Sequence, residues 1–245
     1  MKFGSITTGI VSDGLIFNMD AGNRASYIES STTSYNTIDL TLTGSLINDT
    51  SGSLGSPKAW DFDGVDSYIG CGDHSIFSFG DGSNDSPFSL NVWINWDAIG
   101  SWKSLISKDG GGSTREWALL TDDSSQIRIF LKNAGGANQQ SIDTDSTFST
   151  GTWYNISTTY SGVGGNDATD GLKIYINGIV AATTVSADQA YTAMSNTTSP
   201  LDIGRYASSN AQCTNGKISN CQIYNRELSA SEVLHNYNAL KGRFT

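Results

Sequence analysis

Short alternations of apolar and polar residues, separated by turn residues, constrain the fold of this chain more than any other feature. In the segment PFSLNVWINW, Phe88, Leu90, Val92 and Ile94 alternate with three polar residues and Trp93, so one face of an extended strand is apolar. Similar short runs recur from Leu15 onward, and INGI places Asn-Gly between two of them, which indicates a two-residue hairpin. Because no helical periodicity lies between these runs, the pattern predicts an all-β sandwich or barrel.

The last strand-like segment, GKISNCQIYN, breaks the alternation at one point. Ile218, Cys221 and Ile223 are its apolar positions, and the step from 218 to 221 is odd. Regular alternation would turn Cys221 and Ile223 away from the core. We therefore expect a β-bulge at Ser219–Asn220 that returns both side chains to the core face.

One helix is predicted at the end of the chain, in LSASEVLHNYNALKG. Ser229 and Glu232 have the spacing of a capping box, and Leu228 and Val233 that of a hydrophobic staple. Gly242 is expected to end the helix in a left-handed conformation. The apolar stripe should pack on the edge of the sandwich and cover open strand edges; it consists of Val233, Leu234, Tyr237 and Leu240.

Composition limits the classes of partner. The net charge is −10 and the 14 Lys and Arg residues are scattered, which argues against nucleic-acid binding. No apolar run approaches the length of a membrane span, and the opening residues do not form a signal peptide. The 245 residues suit one all-β domain, 1–245, with residues 1–13 forming an extended arm. We expect free, buried thiols at Cys71, Cys213 and Cys221.

Several segments resemble the laminin-G-like members of the concanavalin A-like lectin/glucanase superfamily. They are WDFDGVDSYIGCG, FSLNVWINW, TWYNISTTYSG, LKIYINGIV and the closing GKISNCQIYNRELSASEV. The closing motif and the YING hairpin carry most of the resemblance. It implies an all-β jelly roll, a concanavalin A-like sandwich of two antiparallel sheets with one short C-terminal helix and neighbouring termini.

The opening segment, TTGIVSDGLIFNMDAGNRASY, resembles the starts of laminin-G-like proteins of tailed bacteriophages that are described as virion structural proteins. This resemblance implies a non-enzymatic virion component: a capsid decoration, a fibre or a tail appendage. Such a protein is made in the host cytoplasm without a signal peptide, is located in the virion, and has other virion proteins as partners. It would contact host surface glycans, and a homotrimer is expected from the symmetry of virion proteins. The alternative function is a carbohydrate-binding, lectin-like module.

Catalysis is not expected. The glucanase branch of the superfamily carries paired carboxylates in an E-x-D-x-x-E strand motif, because retaining hydrolysis requires an acid and a nucleophile close together. None of the four glutamates has that spacing. His74 and His235 stand in unrelated contexts, and neither has the surroundings of a catalytic triad.

A structural calcium ion is the one cofactor that the resemblance suggests, and none is required. It would assign ligand roles to Asp63 and Asp66 in DFDGVDS, since calcium takes carboxylate oxygens. Against this, Ser219 and Asn220 replace the paired acids of the family's closing motif. The alternative for Asp63-Gly64 is an ordinary hairpin turn.

Sugar binding would require exposed aromatic rings beside polar side chains. Trp96 and Trp102 flank the predicted turn WDAIGSW, and Asp109 follows shortly after. These three residues form the candidate carbohydrate site. The alternative for each tryptophan is packing in the core or an interface.

Overall fold

The computed structural model describes residues 9–48, 57–100, 102–133, 135, 138–206 and 209–244. Over these residues the chain forms two antiparallel sheets, stacked face to face, and one short C-terminal helix. The expected all-β sandwich of two antiparallel sheets with one short C-terminal helix is confirmed. Two further strands, Arg205–Tyr206 and Ser209–Cys213, pair only with each other.

The smaller sheet has seven strands. They are β1 (Leu15–Asp20), β4 (Trp60–Asp63), β6 (Phe88–Ala98), β11 (Trp153–Tyr160), β12 (Leu172–Ile176), β13 (Ile179–Val180) and β18 (Asn215–Tyr224). Their order is β1–β18–β6–β11–β12–β13, and β4 pairs with β18.

The larger sheet has nine strands. They are β2 (Thr33–Tyr35), β3 (Thr43–Ile47), β5 (Tyr68–Gly70), β7 (Ser104–Asp109), β8 (Arg115–Thr121), β9 (Ile127–Lys132), β10 (Gln139–Thr144), β14 (Thr183–Asp188) and β15 (Leu201–Ile203). Their order is β14–β10–β9–β8–β7–β15–β5–β3–β2. The separate hairpin consists of β16 (Arg205–Tyr206) and β17 (Ser209–Cys213), and the helix, α1, spans Ala230–Leu240.

The core lies between the two sheets and is rich in aromatic rings. The predicted alternation of β6 is confirmed, because Phe88, Leu90, Val92 and Ile94 all belong to the buried core cluster. From the larger sheet, Trp117 meets Phe88 with ring centroids 5.8 Å apart. Burial of such large rings supplies much of the free energy that holds the sheets together.

The bulge in the last strand is confirmed. Ile218 pairs with Ile94 and Asn220 pairs with Trp93, so Ser219 is the extra residue of β18. Cys221 and Ile223 consequently point into the core and are fully buried. The hydroxyl of Ser219, the bulge residue, donates to the carbonyl oxygen of Lys58 at 2.6 Å. This bond holds the segment just before β4 against β18.

The Asn-Gly hairpin between β12 and β13 is also confirmed. Asn177 and Gly178 have φ values of 52° and 79°, the left-handed pair that a two-residue hairpin requires. A Cβ atom at Gly178 would lie 3.0 Å from Leu234 and 3.0 Å from Tyr237. The glycine is therefore needed both for the turn and for the close approach of the helix.

The helix begins as predicted. Glu232 N donates to Ser229 Oγ at 3.3 Å and Ser229 N donates to Glu232 Oε2 at 2.9 Å, which completes the capping box. Leu228 and Val233 lie in one buried cluster, as expected for a hydrophobic staple. The cap also carries an ion pair, since Arg226 binds both carboxylate oxygens of Glu232.

The predicted end of the helix is wrong. Lys241 keeps a right-handed helical conformation, Gly242 is not left-handed, and a 3-10 turn over Lys241–Arg243 follows. This path places Arg243 against Asp20, with two bonds of 2.7 and 2.8 Å, and stacks Phe244 on Trp93 at 3.9 Å. These tertiary contacts outweigh the local preference of glycine.

The helix lies across the outer face of the smaller sheet, where Tyr237 stacks on Trp93 of the central strand β6, and it also contacts the β12–β13 hairpin at the sheet edge. Val233 packs in one cluster with Tyr175 and Tyr224 of that sheet. Asn236 is buried beneath the helix, where its Oδ1 accepts from Val11 N at 2.8 Å and its Nδ2 donates to the Tyr224 hydroxyl at 3.0 Å. The expected location on the sandwich edge is thus wrong for most of the helix.

Other expectations have simpler outcomes. The three cysteines are free and buried, as predicted. No helix among the described residues has the length and apolar character needed to span a membrane. The single domain over 1–245 stays a prediction. Of the proposed arm at 1–13, residues 1–8 lie outside the described residues.

Candidate functional site

The outer face of the larger sheet carries polar and charged side chains at its centre. Ile127, Ile129 and Leu131 of β9 point into the core, so the alternate residues of that strand point outward. Those outward residues are Arg128, Phe130 and Lys132. The β16–β17 hairpin lies over this face, because Tyr206 packs on Phe130 with ring centroids 5.7 Å apart.

An aromatic pair borders this face. Trp102 stacks on Tyr206 with ring centroids 6.0 Å apart and an interplanar angle of 24°. Trp102 has a φ of 58°, a conformation that costs energy for a bulky residue. Its backbone N–H donates to Thr121 O at 2.7 Å. Its side chain is only partly buried. The guanidinium of Arg128 lies 5.2 Å from the ring centre of Trp102.

Arg128 is itself held firmly. Its Nε and Nη2 donate to the two carboxylate oxygens of Asp143 at 2.7 and 2.6 Å, and Asp122 lies 3.7 Å away. A bidentate pair of this kind fixes the plane of the guanidinium. The position of Trp102 is therefore set from two sides, by Arg128 and by Tyr206.

Asp109 is the last residue of β7, at the opposite end of that strand from Trp102, and it lies on the other side of Tyr206. Its side chain is fully buried, its Oδ1 accepts from Gly111 N at 2.8 Å, and its Oδ2 makes no hydrogen bond of good geometry. Burial raises the pKa of Asp109 to about 6, although the Gly111 bond and the charges on Arg115 and Lys132 oppose the increase. Burial and the Asp109 charge together raise the pKa of the Tyr206 hydroxyl to about 12.

Two cations stand beside this carboxylate without a close partner. Arg115 Nε lies 3.7 Å from Asp109 Oδ1, too far for a hydrogen bond, and is buried without another acceptor. Lys132 is 8% exposed and forms no ion pair with any residue that the structure describes. Burial and the Arg115 charge lower the pKa of Lys132, and Asp109 acts in the opposite direction.

These residues constitute the outer-face site: Trp102, Asp109, Arg115, Lys132 and Tyr206. Buried polar groups in native proteins are nearly always hydrogen-bonded, so unmet donors and acceptors that gather in one place indicate a ligand. Titratable groups with shifted pKa values are also concentrated at functional sites. The arrangement offers an aromatic surface, two cations and a carboxyl group to a small polar ligand.

Two of the three residues predicted for sugar binding belong to this site, one on either side of Tyr206. Trp102 packs on Tyr206, and Asp109 changes the pKa of the same tyrosine. Trp96 does not join them. Its side chain is fully buried in the core beside Phe148 and Tyr154, because β6 continues to Ala98 and Trp96 keeps the inward register of Ile94. The expectation that Trp96 is exposed is wrong.

The other three members were missed in the sequence. The alternation in QIRIFLK places Lys132 on the face opposite to the apolar residues, and this signal was available. Arg115 and Tyr206 have no local signal. They reach the site only through the pairing of β8 with β7 and the return of the β16–β17 hairpin.

The residues proposed for calcium do not fit a metal site. Asp63 Oδ1 accepts four hydrogen bonds, from Val65 N at 2.8 Å, Asp66 N at 3.1 Å, Ser67 N at 3.1 Å and Ser67 Oγ at 2.7 Å. Burial alone would raise the pKa of Asp63, but these bonds outweigh it and lower the pKa to about 2. Among the described residues no third acidic, His or Cys side chain joins Asp63 and Asp66. The geometry is that of a polar turn.

Removal of divalent metal is therefore expected to leave stability unchanged. Treatment with EDTA should not shift the melting temperature, because the oxygen offered to calcium is already used by the turn. Differential scanning fluorimetry of the full chain with EDTA and with added calcium measures this directly. A rise in melting temperature with calcium, lost in the Asp63→Asn variant, would show that the turn binds metal after all.

Several solved structures share this fold. The binding domain of Paraclostridial Mosquitocidal Protein 1 superposes with a TM-score of 0.67 at 17% identity, over 92% of this chain and 52% of that one. Domain 4 of AbnA, a GH43 extracellular arabinanase from Geobacillus stearothermophilus, was solved in complex with arabinotriose. It superposes with a TM-score of 0.56 at 17% identity, over 91% of this chain and 98% of that one. Trypanosoma rangeli sialidase in complex with sialic acid superposes with a TM-score of 0.62 at 14% identity, over 95% of this chain and 34% of that one.

These similarities are structural. The chain spans about half the length of the mosquitocidal binding domain and about a third of the sialidase. At 17% identity or less they show a shared fold. No curated protein matches the chain. A sequence-family model, Laminin_G_3, described as "Concanavalin A-like lectin/glucanases superfamily", matches residues 63–234, well over half of the chain. The chain therefore belongs to this laminin-G family of the concanavalin A-like lectin/glucanase superfamily.

Proposed function

We propose that this chain is a carbohydrate-binding, lectin-like module and that it binds sugar at the outer-face site. The observation that carries the proposal is the partly exposed Trp102 ring, which is held by Tyr206 and Arg128, with the buried Asp109 on the other side of Tyr206. An aromatic face packs against the C–H groups of a pyranose ring, and nearby polar side chains bind its hydroxyls. The arabinotriose complex of domain 4 of AbnA is a precedent on the same fold.

Removing the Trp102 ring should weaken glycan binding. We expect Trp102→Ala to reduce affinity by about fivefold, since an aromatic contact of this kind is worth on the order of 1 kcal/mol. A glycan array with the full chain would supply the ligand, and isothermal titration calorimetry would compare the variants.

Tyr35→Ala is the matched control. Tyr35 is 40% exposed on β2, at the far edge of the same sheet, and its removal should leave affinity unchanged. An array without any hits would contradict the proposal. So would an affinity that Trp102→Ala leaves unaltered.

The proposal includes the absence of glycosidase activity. Each of the four glutamates pairs with a different cation: Glu29 with Lys58, Glu116 with Lys108, Glu227 with Lys173 and Glu232 with Arg226. Retaining hydrolysis needs two carboxyl groups about 5 Å apart on either side of the scissile bond. Incubation of the purified chain with every oligosaccharide that it binds should release no reducing sugar.

We further propose that the module works as a structural component of a tailed-phage virion that contacts host surface glycans. The support is the resemblance of residues 7–27 to the starts of phage laminin-G-like proteins. Mass spectrometry of purified particles should then find this chain among virion proteins, and light scattering should give a homotrimer. Absence from the particles would contradict the virion role and leave the binding role intact.

A further inference from the structure

We infer that the outer-face site selects saccharides that carry a carboxylate, and that Lys132 and Arg115 bind that carboxylate. Uronic acids and sialic acids share this group. The inference rests on the proposed function and names the class of ligand that it takes.

The charged side chains of the outer face are unevenly paired. Arg128 is neutralised by Asp143 and Asp122, and Arg205 is neutralised by Asp202, whose Oδ2 accepts from its Nε at 2.9 Å and its Nη2 at 2.7 Å. What remains is two cations, Arg115 and Lys132, and one carboxyl group, Asp109. Within the outer-face site two cations therefore share one carboxyl group, whereas Arg128 alone is paired with two, in a chain whose net charge is −10.

Asp109 does not satisfy both cations. It lies 3.7 Å from Arg115 Nε, and Lys132 makes no ion pair with it or with any other described residue. The Lys132 residue is 8% exposed, and burial disfavours its charged form, although its Nζ is not among the fully buried polar atoms. The contact of Lys132 Nζ with the Phe130 ring, at 5.8 Å from the ring centre, compensates only in part.

A carboxylate ligand would supply the missing group. Charge-assisted bonds from an ammonium and a guanidinium are about twice as strong as neutral hydrogen bonds, whereas a neutral sugar would leave Lys132 unpaired. The saccharide would extend past Tyr206, and another of its rings would pack on the partly exposed Trp102. This assigns one role to each exposed or unpaired group of the site.

The arrangement also predicts how binding depends on pH. Asp109 is faced by Arg115 and Glu116 from β8, by Lys132 from β9 and by Tyr206 from β16, and Glu116 is paired with Lys108. When Asp109 is ionised it repels an anionic ligand bound to Arg115 and Lys132. Affinity for an acidic sugar should therefore rise as the pH falls through about 6, while affinity for a neutral sugar should not change.

The test uses the full chain and three probes: trigalacturonate, sialyllactose and neutral lactose. Calorimetry at about pH 7 should show that at least one acidic probe binds about tenfold more tightly than lactose. Acidification to about pH 5 should strengthen that binding severalfold. The two acidic probes distinguish a uronate from a sialate as the source of the carboxylate.

The variants separate charge from structure. Lys132→Gln should abolish the preference for the acidic probe, Lys132→Arg should retain it, and Asp109→Asn should raise acidic affinity at neutral pH and remove the pH dependence. Lys173→Gln, on the smaller sheet and 47% exposed, is the control and should bind as the native chain does. Arg115→Gln, at a side chain that is 31% exposed, provides a second test if Lys132→Gln does not fold.

Equal affinity for acidic and neutral probes would overturn this inference and leave the proposed function standing. Undiminished acidic binding by both Lys132→Gln and Arg115→Gln would also overturn it. Failure of every saccharide to bind would instead contradict the proposed function itself.

Discussion

Replacing Lys108 with methionine is expected to lower the free energy of unfolding by about 3–5 kcal/mol. Lys108 is fully buried, and its Nζ lies 2.8 Å from Asp73 Oδ1, 2.7 Å from Ser199 O and 3.4 Å from Glu116 Oε1. Glu116 is also fully buried, and burial raises its pKa even though Lys108 opposes the increase. The variant would leave Glu116 without a counter-charge and would release two loops from β7.

Chemical denaturation at neutral pH measures this loss. Lys173→Met is the matched control, because its pair with Glu227 has side chains 47% and 33% exposed. Exposed pairs contribute about 1 kcal/mol or less. A Lys108→Met, Glu116→Leu double variant should recover part of the stability, since no charge is then left buried. Equal losses for Lys108→Met and Lys173→Met would refute the importance of the buried pair.

Replacing Asp109 with asparagine is expected to stabilise the chain by about 3 kcal/mol at neutral pH. Burial raises the folded-state pKa of Asp109 to about 6 from the ordinary value of 3.8. The folded chain thus holds a proton that the unfolded chain has released, so the contribution of Asp109 to stability is present below about pH 4 and is lost as the pH rises through about 6. Asparagine carries no charge and avoids this loss, and its Oδ1 can still accept from Gly111 N.

Denaturation at about pH 4 and about pH 7.5 tests this prediction. The variant and the native chain should have similar stability at the lower pH and should differ at the higher pH. A variant that is less stable at both values would show that the carboxylate is stabilised by its cations. The same variant should also bind acidic sugars more tightly. The two results together would show that Asp109 lowers the stability of the chain at neutral pH and makes binding depend on pH.

The features predicted correctly from the sequence depend on residues close together in the chain. The capping box joins Ser229 and Glu232, the hairpin turn is Asn177-Gly178, and the bulge at Ser219 follows from one odd step in an alternation. Gly242 had an equally local signal, but Arg243 and Phe244 bind residues more than 90 positions away, and those contacts determine how the helix ends.

The outer-face site could be predicted only in part, because its residues come from four separate segments. Trp102 and Asp109 were identified by residue type. Trp96 belonged to the same turn signal, yet the register of β6 placed it in the core. Lys132 could have been found from its strand, whereas Arg115 and Tyr206 depend on strand pairing that no short pattern encodes. The Lys108–Glu116 pair is equally hidden, since no short pattern in β7 or β8 shows that the two side chains meet.

The C-terminal segment packed on the smaller sheet has a consequence for display. Gly9 lies against Ala239 and Phe244 lies on Trp93, so both ends of the described chain leave from the same side of the sandwich. The outer-face site is on the opposite side, with the whole core between. A carrier, surface or fluorophore attached through either end would lie on the side of the smaller sheet and would leave Trp102 exposed to solvent. Immobilised chains should therefore present the site in one orientation.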